Sequence, residues 1–120
     1  MGYRSHVIIV LPDEYVAKYF ELLTENDFTL KTDYVGELPD YPAYQVISYE
    51  DLKWYQGYKD VETITAWLGN LNKTLKIVNS TKENQLLLVR LGENYDDYEE
   101  IIGDANVYNI YPSVTLEGFM

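Results

Sequence analysis

Six of the twelve residues from Glu93 to Asp104 carry carboxylates, and no base lies among them. Clustered carboxylates serve metal binding, acid–base catalysis or docking onto a basic surface. The spacing excludes an EF-hand, which needs acids at its first, third and fifth positions, glycine at the sixth and glutamate at the twelfth. A weak surface site for Ca2+ or Mg2+ is an alternative use of such acids, but the expectation is no metal and no cofactor. Acid–base catalysis gains little support, because 20 acids in 120 residues make chance pairs unavoidable. Tyr95 and Tyr98 stand among the acids and would add rigid contact area at low entropic cost. The segment is therefore read as a partner-binding surface of Glu93, Tyr95, Asp96, Asp97, Tyr98, Glu99, Glu100 and Asp104. Its carboxylates could stand in for nucleic-acid phosphates. The plainer alternative is a solvated loop that keeps the chain soluble.

A second constellation is aromatic. Tyr49, Trp54, Tyr55 and Tyr58 fall within ten residues. Trp54, Tyr55 and Tyr58 are secondary candidates for an interface, since Trp and Tyr are common anchors. The same residues serve equally as the lid of a small core, and burial is the expectation for Trp54. The chain holds 13 Tyr against 3 Phe, which suits rings with one end in water but does not separate a recognition surface from a half-exposed sheet.

Nucleophilic chemistry is poorly supplied. There is no cysteine, which removes disulfides, thiolate zinc sites and cysteine nucleophiles together. The single histidine, His6, follows Ser5 in an apolar strand, where neighbours point to opposite faces, so these two cannot act as base and nucleophile. The glycines are scattered and match neither a phosphate-binding loop nor a dinucleotide fingerprint. No catalytic residue is assigned, and a non-enzyme is expected.

The elements that must position these residues follow from periodicity. Tyr3 to Leu11 reads as a strand, and its run of Val7, Ile8, Ile9, Val10 and Leu11 suits burial on both faces. Pro12, Asp13 and Glu14 open a helix that ends near Asn26, with Val16, Tyr19, Phe20 and Leu23 on its apolar side. Phe28 to Val35 alternates as a strand, Gly36 to Pro42 is a loop, and Ala43 to Tyr49 is a strand that continues irregularly through Trp54. A second helix starts at Asp60, with Val61, Ile64, Leu68 and Leu71 inward and Trp67 beside them. Leu75 to Val78, Gln85 to Leu91, Val107 to Tyr111 and Ser113 to Phe119 read as further strands. The expected fold is one α+β domain spanning residues 1–120, a mostly antiparallel sheet with two helices on one face, of split β-α-β type.

The net charge is −11, and it is uneven: residues 1–90 hold 13 acids and 9 bases, whereas residues 91–120 hold 7 acids and no base. Such a chain is repelled by nucleic acid and by anionic membranes, so direct contact with either is not expected, and a basic protein partner is. No apolar run reaches the roughly 20 residues of a membrane span. The opening lacks the basic and apolar regions of a signal peptide, which points to the cytoplasm. The sequons at Asn72 and Asn79 carry little meaning there. The oligomeric state is left open, although an edge strand such as Ser113 to Phe119 offers a way to pair two copies.

The opening Met1-Gly2-Tyr3-Arg4-Ser5, the middle pattern Leu52-Lys53-Trp54-Tyr55 with Tyr58-Lys59-Asp60-Val61, and Leu91-Gly92-Glu93-Asn94-Tyr95-Asp96-Asp97 together resemble a group of small phage and prophage proteins. No activity is attached to that group, and this chain departs from it at His6, where the group carries an acid. The resemblance implies a phage origin. It favours a protein that binds and inhibits a host defence or nucleic-acid-handling protein, of anti-restriction or anti-CRISPR type, in the host cytoplasm. The alternatives are a small-ligand protein that sequesters a nucleotide signal in a pocket near Trp54 and Tyr55, and a phage accessory or assembly protein.

Overall fold

The computed structural model describes residues 5–38, 41–55, 57–92 and 98–103. Its elements are β1 (Ser5–Pro12), α1 (Val16–Glu25), β2 (Tyr34–Leu38), β3 (Tyr41–Leu52), α2 (Lys59–Val78), β4 (Leu87–Leu91) and β5 (Tyr98–Ile102), with a single 3-10 turn, Asp13–Tyr15, leading into α1. The strands form one sheet in the order β2-β3-β1-β4-β5, and every neighbouring pair is antiparallel. β1 and β2 therefore run parallel with β3 between them, and β3 and β4 run parallel with β1 between them. These are two interleaved split β-α-β units, extended by β5 beside β4.

The central strand shows why the sheet closes this way. Val7, Ile9 and Leu11 of β1 face the helices, while Ile8 and Val10 face the other side, and all five are fully buried. On the helical side they meet Tyr19 and Leu23 of α1, Val61, Ile64 and Leu68 of α2, and Ile47 and Tyr49 of β3. Each such aliphatic side chain contributes about 1.5–3 kcal/mol relative to exposure. On the opposite side Ile8, Val10, Val46, Leu87, Val89 and Leu91 form a second apolar cluster, with Leu38 buried among them and Tyr41, Tyr44 and Tyr98 packed against it. Part of the tyrosine excess is thus spent at that cluster, where a ring can cover aliphatic surface and keep its hydroxyl at a polar margin.

Both helices end without glycine. Asp27 (φ 57°) and Ser80 (φ 51°) take the left-handed conformation. Phe28 N–H donates to Leu23 O and Asp27 N–H to Thr24 O; Thr81 N–H donates to Lys76 O and Ser80 N–H to Ile77 O. These are paired six-to-one and five-to-two bonds of the Schellman type, which satisfy the last carbonyls. After the first of them, Phe28 and Leu30 pack onto the helical-side core.

Three expected elements differ. Leu75 to Val78 is not a strand but the last turn of α2. The helical stripe Val61, Ile64, Leu68, Asn72 and Leu75 continues unbroken to that point, which outweighs the β-propensity of Ile77 and Val78. Residues 28–33 form no strand, although Asp33 N–H donates to Ser48 O, and β2 instead runs from Tyr34 through Gly36, where a loop was expected. The Tyr34 ring lies over Gly36 and supplies the side-chain cover the glycine lacks. Part of the acidic segment forms β5. The expected strands at 107–111 and 113–119 lie outside the described residues.

Candidate functional site

β5 places three of the acidic-segment candidates. Tyr98 stands opposite Leu91, Glu99 opposite Arg90 and Glu100 opposite Val89. Alternation along the strand sends Tyr98 toward the second apolar cluster, which it partly covers, and Glu99 toward the helical side. Glu99 and Glu100 are both exposed. Glu93, Tyr95, Asp96, Asp97 and Asp104 lie outside the described residues.

No base lies within the acidic segment, but one answers it from β4. Arg90 Nε donates to Glu99 Oε1 at 3.4 Å, and its Nη1 donates to Ser5 Oγ at 3.2 Å. Arg90 is the one charged residue in the run from Leu86 to Leu91. That lone charge in an apolar strand was the signal that could have singled it out.

The aromatic candidates separate. Trp54 is buried in the helical-side core, as expected for a lid residue. Tyr55 and Tyr58 form an edge-to-face pair with centroids 5.3 Å apart, across a turn that Gly57 makes at φ 96°. Tyr58, about half exposed, precedes the first turn of α2.

Trp54 and Glu99, drawn from the two separate candidate sets, line the same cleft. It has a volume of about 510 Å³ and opens between α2 and the β4–β5 strands. Trp54, Val61 and Ile101 supply its apolar surface; Glu62, Thr65 and Ala66 supply the α2 wall; Arg90 and Glu99 supply the sheet wall. Glu62 and Thr65 were not singled out in the sequence, because in the first turns of a helix a Glu is already explained by the helix dipole.

The other chemistry-bearing contact lies on the opposite side of the sheet. His6 Nε2 and Ser48 Oγ share a hydrogen bond of 2.7 Å, and both side chains are buried. Ser5, as expected, faces the other way, toward Arg90. Burial pushes the His6 imidazole below its ordinary pKa, against the opposing pull of Glu50 and Asp33. The neutral ring and the serine satisfy each other inside the sheet, with both atoms shielded from a substrate. Their arrangement is that of a paired core histidine.

Among the described residues no group of three or more His, Asp or Glu is placed to hold a metal ion. Among them, too, no helix is long and apolar enough to cross a membrane. No protein-family model matches the chain, and no curated protein or solved structure shows significant similarity to it.

Proposed function

We propose that this chain is a non-enzymatic binding protein of phage origin that inhibits a basic host protein, a defence or nucleic-acid-handling component such as a restriction or CRISPR protein, by occupying its nucleic-acid groove. The observation that carries the reading is β5, the outermost strand on its side of the described sheet, which exposes Glu99 and Glu100. Carboxylates fixed on a strand hold a set spacing, which a solubilising loop does not require. The net charge of −11 would steer a basic partner toward such a surface and repel nucleic acid from it.

The test is capture of partners from a bacterial lysate carrying defence systems, at low and at high salt. A nucleic-acid-binding protein held at low salt, released at high salt, and prevented from binding its nucleic acid while held, is the expected result. Reversal of Asp96, Asp97, Glu99 and Glu100 to Lys abolishes that capture and leaves the circular dichroism spectrum unchanged. Capture that survives the reversal overturns the reading.

A further inference from the structure

We infer that the cleft between α2 and the β4–β5 strands is a subsite for one guanidinium or ammonium group, presented by a basic side chain of the partner. The inference rests on the inhibitor reading above and names where on that surface the partner anchors.

The shape fits a single long side chain. A cleft of about 510 Å³ lies within the range of roughly 300–1,000 Å³ that small-ligand sites occupy, and it holds such a side chain with its hydration. Its apolar surface, from Trp54, Val61 and Ile101, matches the methylene stem of Arg or Lys, which favours apolar cover while its head stays polar. Trp54 and Val61 are buried in the core, so this surface is already ordered before a partner arrives.

The charge fits a cation. Two carboxylates stand on opposite walls, Glu62 on α2 and Glu99 on β5, and both are exposed. The one base among the described lining residues, Arg90, already donates to Glu99 and to Ser5. An anion drawn to Arg90 would sit beside the Glu99 carboxylate already paired with it, with a second carboxylate, Glu62, in the same lining. A cation placed toward Glu62 meets a carboxylate on the α2 wall, and the described lining residues, two carboxylates and one guanidinium, carry an excess of one negative charge that favours it. Charge-assisted hydrogen bonds from such a cation are about twice as strong as neutral ones. Thr65, one turn along α2 from Glu62, adds a hydroxyl to the same wall.

The probe is arginine amide, with citrulline amide as its neutral counterpart of nearly the same shape. Binding is read from the indole N–H signal of Trp54 by NMR. Arginine amide shifts that signal saturably and citrulline amide does not. Glu62→Gln, an exposed isosteric change that leaves folding intact, weakens arginine amide at least about fivefold. Ala66→Phe fills the cleft, keeps every acid, and removes both the probe's effect and capture of the protein partner. If citrulline amide binds as tightly as arginine amide, or neither moves the Trp54 signal, the subsite assignment is overturned whatever the lysate shows. If Ala66→Phe still captures the partner while the four-acid reversal does not, the inhibitor reading stands and the partner does not anchor in this cleft.

Discussion

The hydroxyls of Tyr19 and Tyr49 share a hydrogen bond of 2.7 Å, joining α1 to β3 beneath the helices, and both rings are fully buried. Nearby, Asp33 N–H donates to Ser48 O at 2.9 Å, which ties the stretch before β2 to the sheet. Burial, and then the neighbouring Tyr49, drive the Tyr19 phenol far above its ordinary pKa; burial raises Tyr49 too, against the bonds from Thr32 and Tyr19.

Alkaline stability should depend on this pair. A tyrosine whose native pKa is raised contributes stability that is complete below the unfolded value of about 10 and is lost as pH climbs beyond it, because the unfolded chain releases a proton the native one holds. Each tyrosine held protonated in this way steepens the loss by about 1.4 kcal/mol per pH unit. Urea midpoints between pH 9 and pH 11 measure it. Tyr19→Phe costs about 1 kcal/mol near neutrality and flattens the alkaline slope. A slope as steep in the variant as in the parent would show that Tyr19 ionises within the native state.

Acid should act through His6. Its native pKa lies below the unfolded value of about 6.5, so its contribution is complete above that pH. As pH falls below that value the unfolded chain takes up a proton that the buried ring refuses, and stability declines until the native ring titrates. The imidazole resonances should titrate below 6.5 in the native protein, and the urea midpoint should fall between pH 7.5 and pH 5.5. His6→Gln keeps a group able to bond Ser48 and reduces that fall. A native titration at or above 6.5 would mean that Glu50 and Asp33 outweigh burial.

Asn72 is the one buried polar residue among the described residues of α2. Its Nδ2 donates to Asn84 Oδ1 at 2.8 Å, and its Oδ1 accepts from Gln85 N–H at 2.7 Å, fixing the connection from α2 to β4. Asn72→Leu fits the apolar stripe by size but strands the Gln85 N–H, a loss of about 1–3 kcal/mol. Thermal unfolding measures it. The same burial keeps this sequon asparagine out of reach of modification in the folded chain.

How far the sequence exposes this architecture depends on the element. β1 is legible because five consecutive apolar residues suit only a strand with two buried faces, and α1 because its apolar residues recur at helical spacing up to Asn26. The end of α2 is hidden because Ser80, not a glycine, takes the left-handed position that closes it, leaving Leu75 to Val78 to look like a new strand. β2 is hidden because Gly36 reads as a turn unless the Tyr34 ring is known to cover it. The split β-α-β order is accessible from two helices set among mostly hairpin-joined strands, since a helix that returns the chain parallel to its first strand leaves room for an antiparallel strand between the two. The site is legible only in parts. Glu99 and Trp54 stand out by type, but their shared cleft depends on Arg90 and on the Glu62 face of α2, and these come together only through the pairing of β4 with β5.

That pairing ends at Gly103, and the last prediction concerns it. Gly103 holds φ 83°, and a Cβ there would stand 2.5 Å from the Leu86 carbonyl oxygen. The obstruction is backbone, which cannot swing aside as a side-chain tip can. Gly103→Ala therefore combines left-handed strain with forced separation of β5 from the start of β4, at a combined cost of about 1–3 kcal/mol. Amide exchange should quicken in β5 and at Leu88, which pairs with Ile102, while the β1–β3 ladder keeps its protection. Because β5 carries Glu99 and the Ile101 side of the cleft, arginine amide should bind more weakly to this variant although no lining residue has changed. Unaltered exchange in β5 would show that the strand holds its place without the close approach at Gly103.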